Sequence, residues 1–165
     1  MYSFKTLPNV AEQKFCNYLS GGFTGTYQKI IPDSTGTISG SYGFHRGFSI
    51  DPLTFPAVVV TVDKLKEIEP DTHVYDAELN LSIFTQADDV AGDAVKVHDA
   101  AAAQIYALMA DPAPVIAAVN ASGDFAVYGL YRTNYGQSIG ATHNGNRLLL
   151  TVVDFAVKCQ KVPTF

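Results

Sequence analysis

Tryptophan is absent from this 165-residue chain, cysteine occurs twice, and charged residues make up 16% of it, against about 25% in an average soluble domain. Each shortage excludes something. Cys16 and Cys159 are too few and too far apart for a disulfide scaffold or a Cys-x-x-Cys site, so both are expected to be small buried hydrophobes. No apolar run approaches the ~18–20 residues that a membrane-spanning helix needs. The start, Met1-Tyr2-Ser3-Phe4-Lys5, has no apolar signal-peptide core, so an intracellular, reduced protein is expected. Lys and Arg do not cluster and the net charge is −5, which argues against the usual basic kind of nucleic-acid binder.

What is present is a hydrophobic fraction of 47%, nine Tyr and ten Phe. That suits one domain, residues 1–165, with one core, and a surface partly covered by partners. Charge is unevenly placed. Residues 1–50 hold four bases against two acids, 51–111 three against twelve, and 112–165 four against two. An acidic middle between mildly basic ends can pair copies of the chain, or line a passage to which DNA must not stick. The acids Asp63, Glu67, Glu69 and Asp71 are the expected acidic face, in an exposed hairpin connection from Asp63 to Thr72.

Periodicity gives the elements. Val10, Phe15 and Leu19 share a helical stripe over 9–19, which ends at Gly21-Gly22. Residues 23–50 read as a long loop or hairpin, an arm rich in Gly, Ser, Thr and Tyr. The run Phe55-Pro56-Ala57-Val58-Val59-Val60-Thr61-Val62 predicts a central strand covered on both faces. Tyr75, Ala77, Leu79, Leu81 and Ile83 alternate with polar residues, which predicts a half-covered strand. Val90, Ala94, Val97, Ala101, Ile105 and Leu108 keep one helical face, capped by Asp88 or Asp89 and stopped at Asp111-Pro112-Ala113-Pro114, with a short helical turn over 115–119. Strands are expected at about 124–134 and 147–159. Asn144-Gly145 marks a tight hairpin between them, so 132–147 is expected to form a β-ribbon.

Chemical motifs are missing. His45, His73, His98 and His143 lie in unrelated contexts without metal-ligand spacing, and His98 is expected at the edge of a buried helix face. There is no Gly-x-Ser-x-Gly elbow and no phosphate-cradling loop. Asp88, Asp89, Asp93 and Asp99 miss the spacing of a calcium loop, and helix capping accounts for acids there. No catalytic residue, cofactor or metal is expected. Tyr27, Tyr42, Phe44 and Phe48 have only Lys29 and Arg46 for company, so they fit anchoring of a protein contact better than stacking of bases. The expected subunit or tube contacts are Tyr42, Phe44, His45, Arg46 and Phe48 on the arm, and Arg132, Tyr135, His143, Asn144 and Arg147 on the ribbon.

The order of elements carries a resemblance. A helix and a loop precede Phe55-Pro56-Ala57-Val58-Val59-Val60; an acidic link follows, then Glu78-Leu79-Asn80-Leu81-Ser82-Ile83-Phe84-Thr85 and the helix opening Ala87-Asp88-Asp89-Val90-Ala91-Gly92-Asp93. Over roughly residues 52–160 this resembles the tail-terminator, or tail-completion, proteins of long-tailed bacteriophages. The resemblance implies an α+β fold, a mostly antiparallel sheet packed by one long amphipathic helix and a short N-terminal helix. It also implies a structural virion protein without catalysis, assembled in the host cytoplasm as a homo-oligomeric ring, a hexamer. The ring would cap the tail tube, stop its growth and meet the head-completion or connector protein, with DNA only passing through the lumen and no membrane involved. Residues 23–50 are longer and richer in Gly, Tyr and Thr than that family's pattern, so the contacts named there come from this sequence alone. Another head–tail junction or tail-tube subunit remains open as an alternative, as does a small ligand-binding domain.

Overall fold

A computed structural model describes residues 7–31, 35–47, 56–68, 73–122, 125–143 and 145–161. The fold is mixed α+β with mostly antiparallel sheets. Three helices, α1 (Leu7–Gly22), α2 (Ala94–Ala110) and α3 (Pro112–Val119), accompany seven strands: β1 (Thr26–Ile30), β2 (Thr37–Ser41), β3 (Gly43–Arg46), β4 (Ala57–Glu67), β5 (Val74–Gln86), β6 (Phe125–His143) and β7 (Asn146–Lys161). The main sheet has the order β3-β4-β5-β7-β6, antiparallel except for the β3–β4 pair.

The strict alternation of β5 places it in the middle of that sheet. Tyr75, Ala77, Leu79, Leu81, Ile83 and Thr85 are buried on one side. Directly opposite them on β7 stand Cys159, Val157, Phe155, Val153, Thr151 and Leu149, all buried too. Opposed residues share a sheet face, so this is the helix side. Phe15 and Leu19 of α1, Ile105 and Met109 of α2, and Val115 and Val119 of α3 complete the same core. The run at 55–62, expected to be central and covered on both faces, is instead second from an edge. Val58, Val60 and Val62 are buried on the helix side, while Val59 and Thr61 point the other way and stay half-buried. β-Branched residues favour a strand whether one face or both are covered, so the run alone did not distinguish the two.

Helix α2 starts later than its apolar spacing implied. Asp88 and Asp89 lie in a short 3-10 turn (Ala87–Asp89), and the N-cap is Asp93, whose carboxylate accepts from the Lys96 N–H at 3.2 Å. Val90 forms an isolated bridge with Lys29. The buried face consists of His98, Ala101, Ala102, Ile105 and Met109, so His98 lies within it and not at its edge. Asp111 caps α3, which turns away from α2 by 78°. No single helix among the described residues is long and apolar enough to cross a membrane.

Of the loop or hairpin expected at 23–50, the described residues show the hairpin. β1 and β2 form a two-stranded antiparallel hairpin, and β3 then joins the main sheet. The β-ribbon also needs correction. β7 pairs with β6 on one side and with β5 on the other as far as Leu148, so among the described residues only Thr142, His143 and 145–147 extend past β5. Gly145 has φ +82° in the two-residue turn, a conformation that glycine adopts without steric cost.

Candidate functional site

The eight expected contact residues that the structure describes fall into three separate places. On the arm, Tyr42 is buried, and its hydroxyl lies 2.5 Å from the Thr85 hydroxyl. Its ring is packed edge-on against Phe23 and Tyr27, so it belongs to the core and not to a displayed contact. Phe44 packs edge-on against Phe23 at 5.5 Å. Arg46 donates to Gln13 at 2.9 Å and lies 3.8 Å from the Glu12 carboxylate. His45 is half-buried on the other side of β3. On the ribbon, Arg147 pairs with Asp88 at 3.7 Å, and its N–H donates to the same carboxylate. His143 is the last residue of β6. Phe48 and Asn144 lie outside the described residues. Among the described residues of this set, Arg132 and Tyr135 alone are brought together on an exposed surface.

The two described residues of the expected acidic face, Asp63 and Glu67, do not share a face. Asp63 stands opposite Glu78, whereas Glu67 stands opposite Tyr75. Glu78 lies on the open side of β5 and Tyr75 on the helix side, so Asp63 and Glu67 project from opposite sides of the sheet. A bulge between Asp63 and Lys66, with Lys64 at φ +51°, inverts the alternation. Glu67 accepts from the His73 N–H at 3.1 Å, and Asp63 from the Asn80 amide at 3.3 Å. Glu69 and Asp71 lie outside the described residues.

No described helix packs on the open side of the sheet. The strand registers place Val59, Ser82, Val152 and Gly136 in one row across it, Asp63, Glu78, Ala156 and Tyr131 in another, and Lys66, Asp76, Lys158 and Gly129 in a third. The face therefore grades from apolar, where half-buried Phe84 and Leu150 adjoin Val59 and Val152, to charged. Lys64–Glu78 and Lys158–Asp76 ion pairs lie at the charged end.

At the β6 edge, Tyr128, Tyr131 and Tyr135 are at least half exposed, at 50%, 57% and 50%. Tyr106 of α2 meets Tyr135 edge-on at 6.2 Å, and the Arg132 guanidinium lies over the Tyr106 ring, 5.2 Å from its centre, and donates to its hydroxyl. With Asp99, Ala102 and Ala103 these residues line a groove of about 510 Å³. Tyr and Arg are the residue types that most often anchor protein interfaces. Sequence reasoning found Arg132 and Tyr135 and missed Tyr106, which helix spacing alone could not place beside a strand 26 residues later in the chain.

Two polar features inside the fold were also missed. A chain of hydrogen bonds runs from Tyr42 to Thr85, then to His98 Nδ1 at 2.7 Å, and from His98 Nε2 to Thr151 at 2.8 Å. Burial lowers the His98 pKa below 6.5, with Asp99 opposing that shift, and burial raises that of Tyr42. A neutral imidazole, one nitrogen donating and the other accepting, suits partners whose hydroxyls rotate. The second feature is Glu12, fully buried, whose carboxylate accepts from the Val62 N–H at 3.1 Å. β3 stops pairing with β4 once the Gly47 N–H reaches the Val60 carbonyl. Glu12 satisfies the next ladder donator beyond that point, in place of a neighbouring strand. Its sequence signal was an acid at i−3 and i−7 from Phe15 and Leu19, within the apolar stripe.

Among the described residues no three His, Cys, Asp or Glu side chains are grouped to hold a metal. No protein-family model matches this chain, and no curated protein sequence matches it either.

Proposed function

We propose that this chain is a structural subunit that works by assembling, and specifically a terminator that caps the tail tube of a long-tailed phage and joins it to the head connector. The observation that carries the assembly reading is the β6 edge. There Tyr128, Tyr131 and Tyr135, with Tyr106 and Arg132, remain exposed at a 19-residue edge strand that pairs with β7 on one side. A monomer gains nothing from so much exposed aromatic surface at a sheet edge, and a subunit gains an anchor. The interior supports the same reading, because both nitrogens of His98 are engaged by core threonines and neither is offered to a substrate. The terminator reading rests on the order of strand, acidic link, alternating strand and helix within the resembling stretch 52–160.

In such a ring the graded open face is the surface for the lumen or for the tube. Its charged end balances Asp63, Glu78, Asp76 and Asp154 against Lys64, Lys66 and Lys158, a nearly neutral surface that would hold DNA weakly and let it slide. Sedimentation and negative-stain electron microscopy, with and without purified tail tubes, test the proposal. Rings seated at tube ends are expected. Monomers at high concentration that leave tubes undecorated would overturn it.

A further inference from the structure

We infer that strand β2 of one copy adds to strand β6 of the next, so that the β1–β2 hairpin of each copy extends the main sheet of its neighbour. The inference rests on the reading of the chain as a self-assembling subunit and names the surfaces that join. It follows from how each sheet edge is treated. Backbone N–H and C=O groups on an open edge attract other strands, and folds block this with charge, bulges or side chains that stand in for a partner. Among the described residues, the β3–β4 edge has all three: charged Asp63, Lys64, Lys66 and Glu67, the bulge at 63–66, and the Glu12 carboxylate on the Val62 N–H. The free side of β1 is taken by the Lys29–Val90 bridge and by the Ala91 N–H, which donates to the Gln28 carbonyl at 2.9 Å. At the start of β6, the Asn120 side chain accepts from the Val127 N–H at 2.7 Å and donates to its carbonyl at 2.9 Å, as a strand would.

Among the described residues, two stretches have no such protection. One is β2, Thr-Ile-Ser-Gly-Ser over 37–41, without charge or proline and with Ile38 at 52% exposure. The other lies in β6. Its bulges fall between Val127 and Gly129, Arg132 and Asn134, and Ser138 and Ala141, which leaves Asn134 to Ser138 as its longest regular run, again without charge or proline. Both runs are five residues long. On the open side of the sheet, where Gly136 faces, the second adjoins Val152 and half-buried Leu150 of β7, which supply an apolar surface for Ile38. Because the two edges belong to different surfaces of one chain, each contact is head-to-tail, and repeated copies close into a ring or propagate. Strand addition of this kind takes its affinity from main-chain hydrogen bonds and its selectivity from alternate side chains.

The test is a mixed cross-link on the full chain. Ile38→Cys and Gly136→Cys are made separately. Position 136 has no atom within 4 Å of an added Cβ, and the native Cys16 and Cys159 are buried, with the Cys159 thiol pushed up to about 12. Mild oxidation of the mixture is expected to give mainly the 38–136 disulfide dimer. Ile38→Lys, exposed enough to leave the fold and its circular dichroism intact, is expected to weaken self-association at least tenfold, as read by sedimentation. Cross-links only between copies of Gly136→Cys would overturn the inference in favour of a two-fold edge. Assembled rings without 38–136 cross-links would also overturn it and leave the assembly reading standing. Chains joined at 38–136 that ignore tail tubes would support the inference and sink the terminator reading.

Discussion

Glu12 is the residue on which the sheet edge depends most. Its carboxylate is fully buried, holds the Val62 N–H and faces Arg46. Removing one partner of such a site leaves a buried donor unsatisfied, and Glu12→Ala is expected to cost about 3 kcal/mol in urea unfolding. Glu12→Gln keeps an acceptor oxygen and should cost clearly less; equal losses from the two would show that the hydrogen bond to Val62 is unimportant. His98 sets a pH dependence. Its folded pKa lies below 6.5 because burial disfavours the imidazolium, so the unfolded chain binds the proton more readily. The stability this gives is complete above about 6.5 and is lost as pH falls below that value toward the lowered folded pKa. The melting temperature of the natural chain should therefore drop more steeply between pH 7 and pH 5 than that of His98→Asn. Parallel slopes would contradict the buried neutral imidazole. Neither residue's role was legible in advance. A lone acid in an apolar stripe and a histidine beside a valine have many possible partners, and the partners here are 50 and 53 residues away in sequence.

At the level of elements, the cap of α2 separates two readings of one acidic cluster. Asp93→Ala should destabilise the protein by about 1 kcal/mol through loss of the bond to Lys96 N–H. Asp89→Ala should change the denaturation midpoint little, because Asp89 belongs to the preceding 3-10 turn. The reverse order would restore the earlier start that the apolar spacing implied. That spacing located the helix but not its first turn, because Val90 is buried for another reason, its bridge to β1. Elements with a regular period were legible: α1, β5 and β7 follow their alternation or stripe, and α2 keeps Ala101 and Ile105 of its stripe while its buried face is rotated toward His98, Ala102 and Met109. Irregular features were not. The bulge that sends Asp63 and Glu67 to opposite sides turns on a positive φ at Lys64, a residue type that carries no signal for it. The hairpin at 26–41 was half visible, because its Gly, Ser and Thr content suits strands and loops alike. Tyr42 looked like an anchor for a partner and is an anchor for the core.

For the whole molecule, the helices occupy one side of the sheet and leave the other side and the β6 edge as the surfaces on which assembly can act. Ile38 and the tyrosines of β6 give the interaction a direction, and direction is what a ring requires. A tube subunit with the same surfaces would stack and lengthen a tube, whereas a terminator ends it. The most direct measurement is to add the purified chain to polymerising tail-tube subunits and record tube lengths by electron microscopy. Tubes that shorten as the chain increases, each with one capped end, are the predicted result. Tubes that keep their length, or grow with the chain incorporated along them, would contradict the assignment as a terminator.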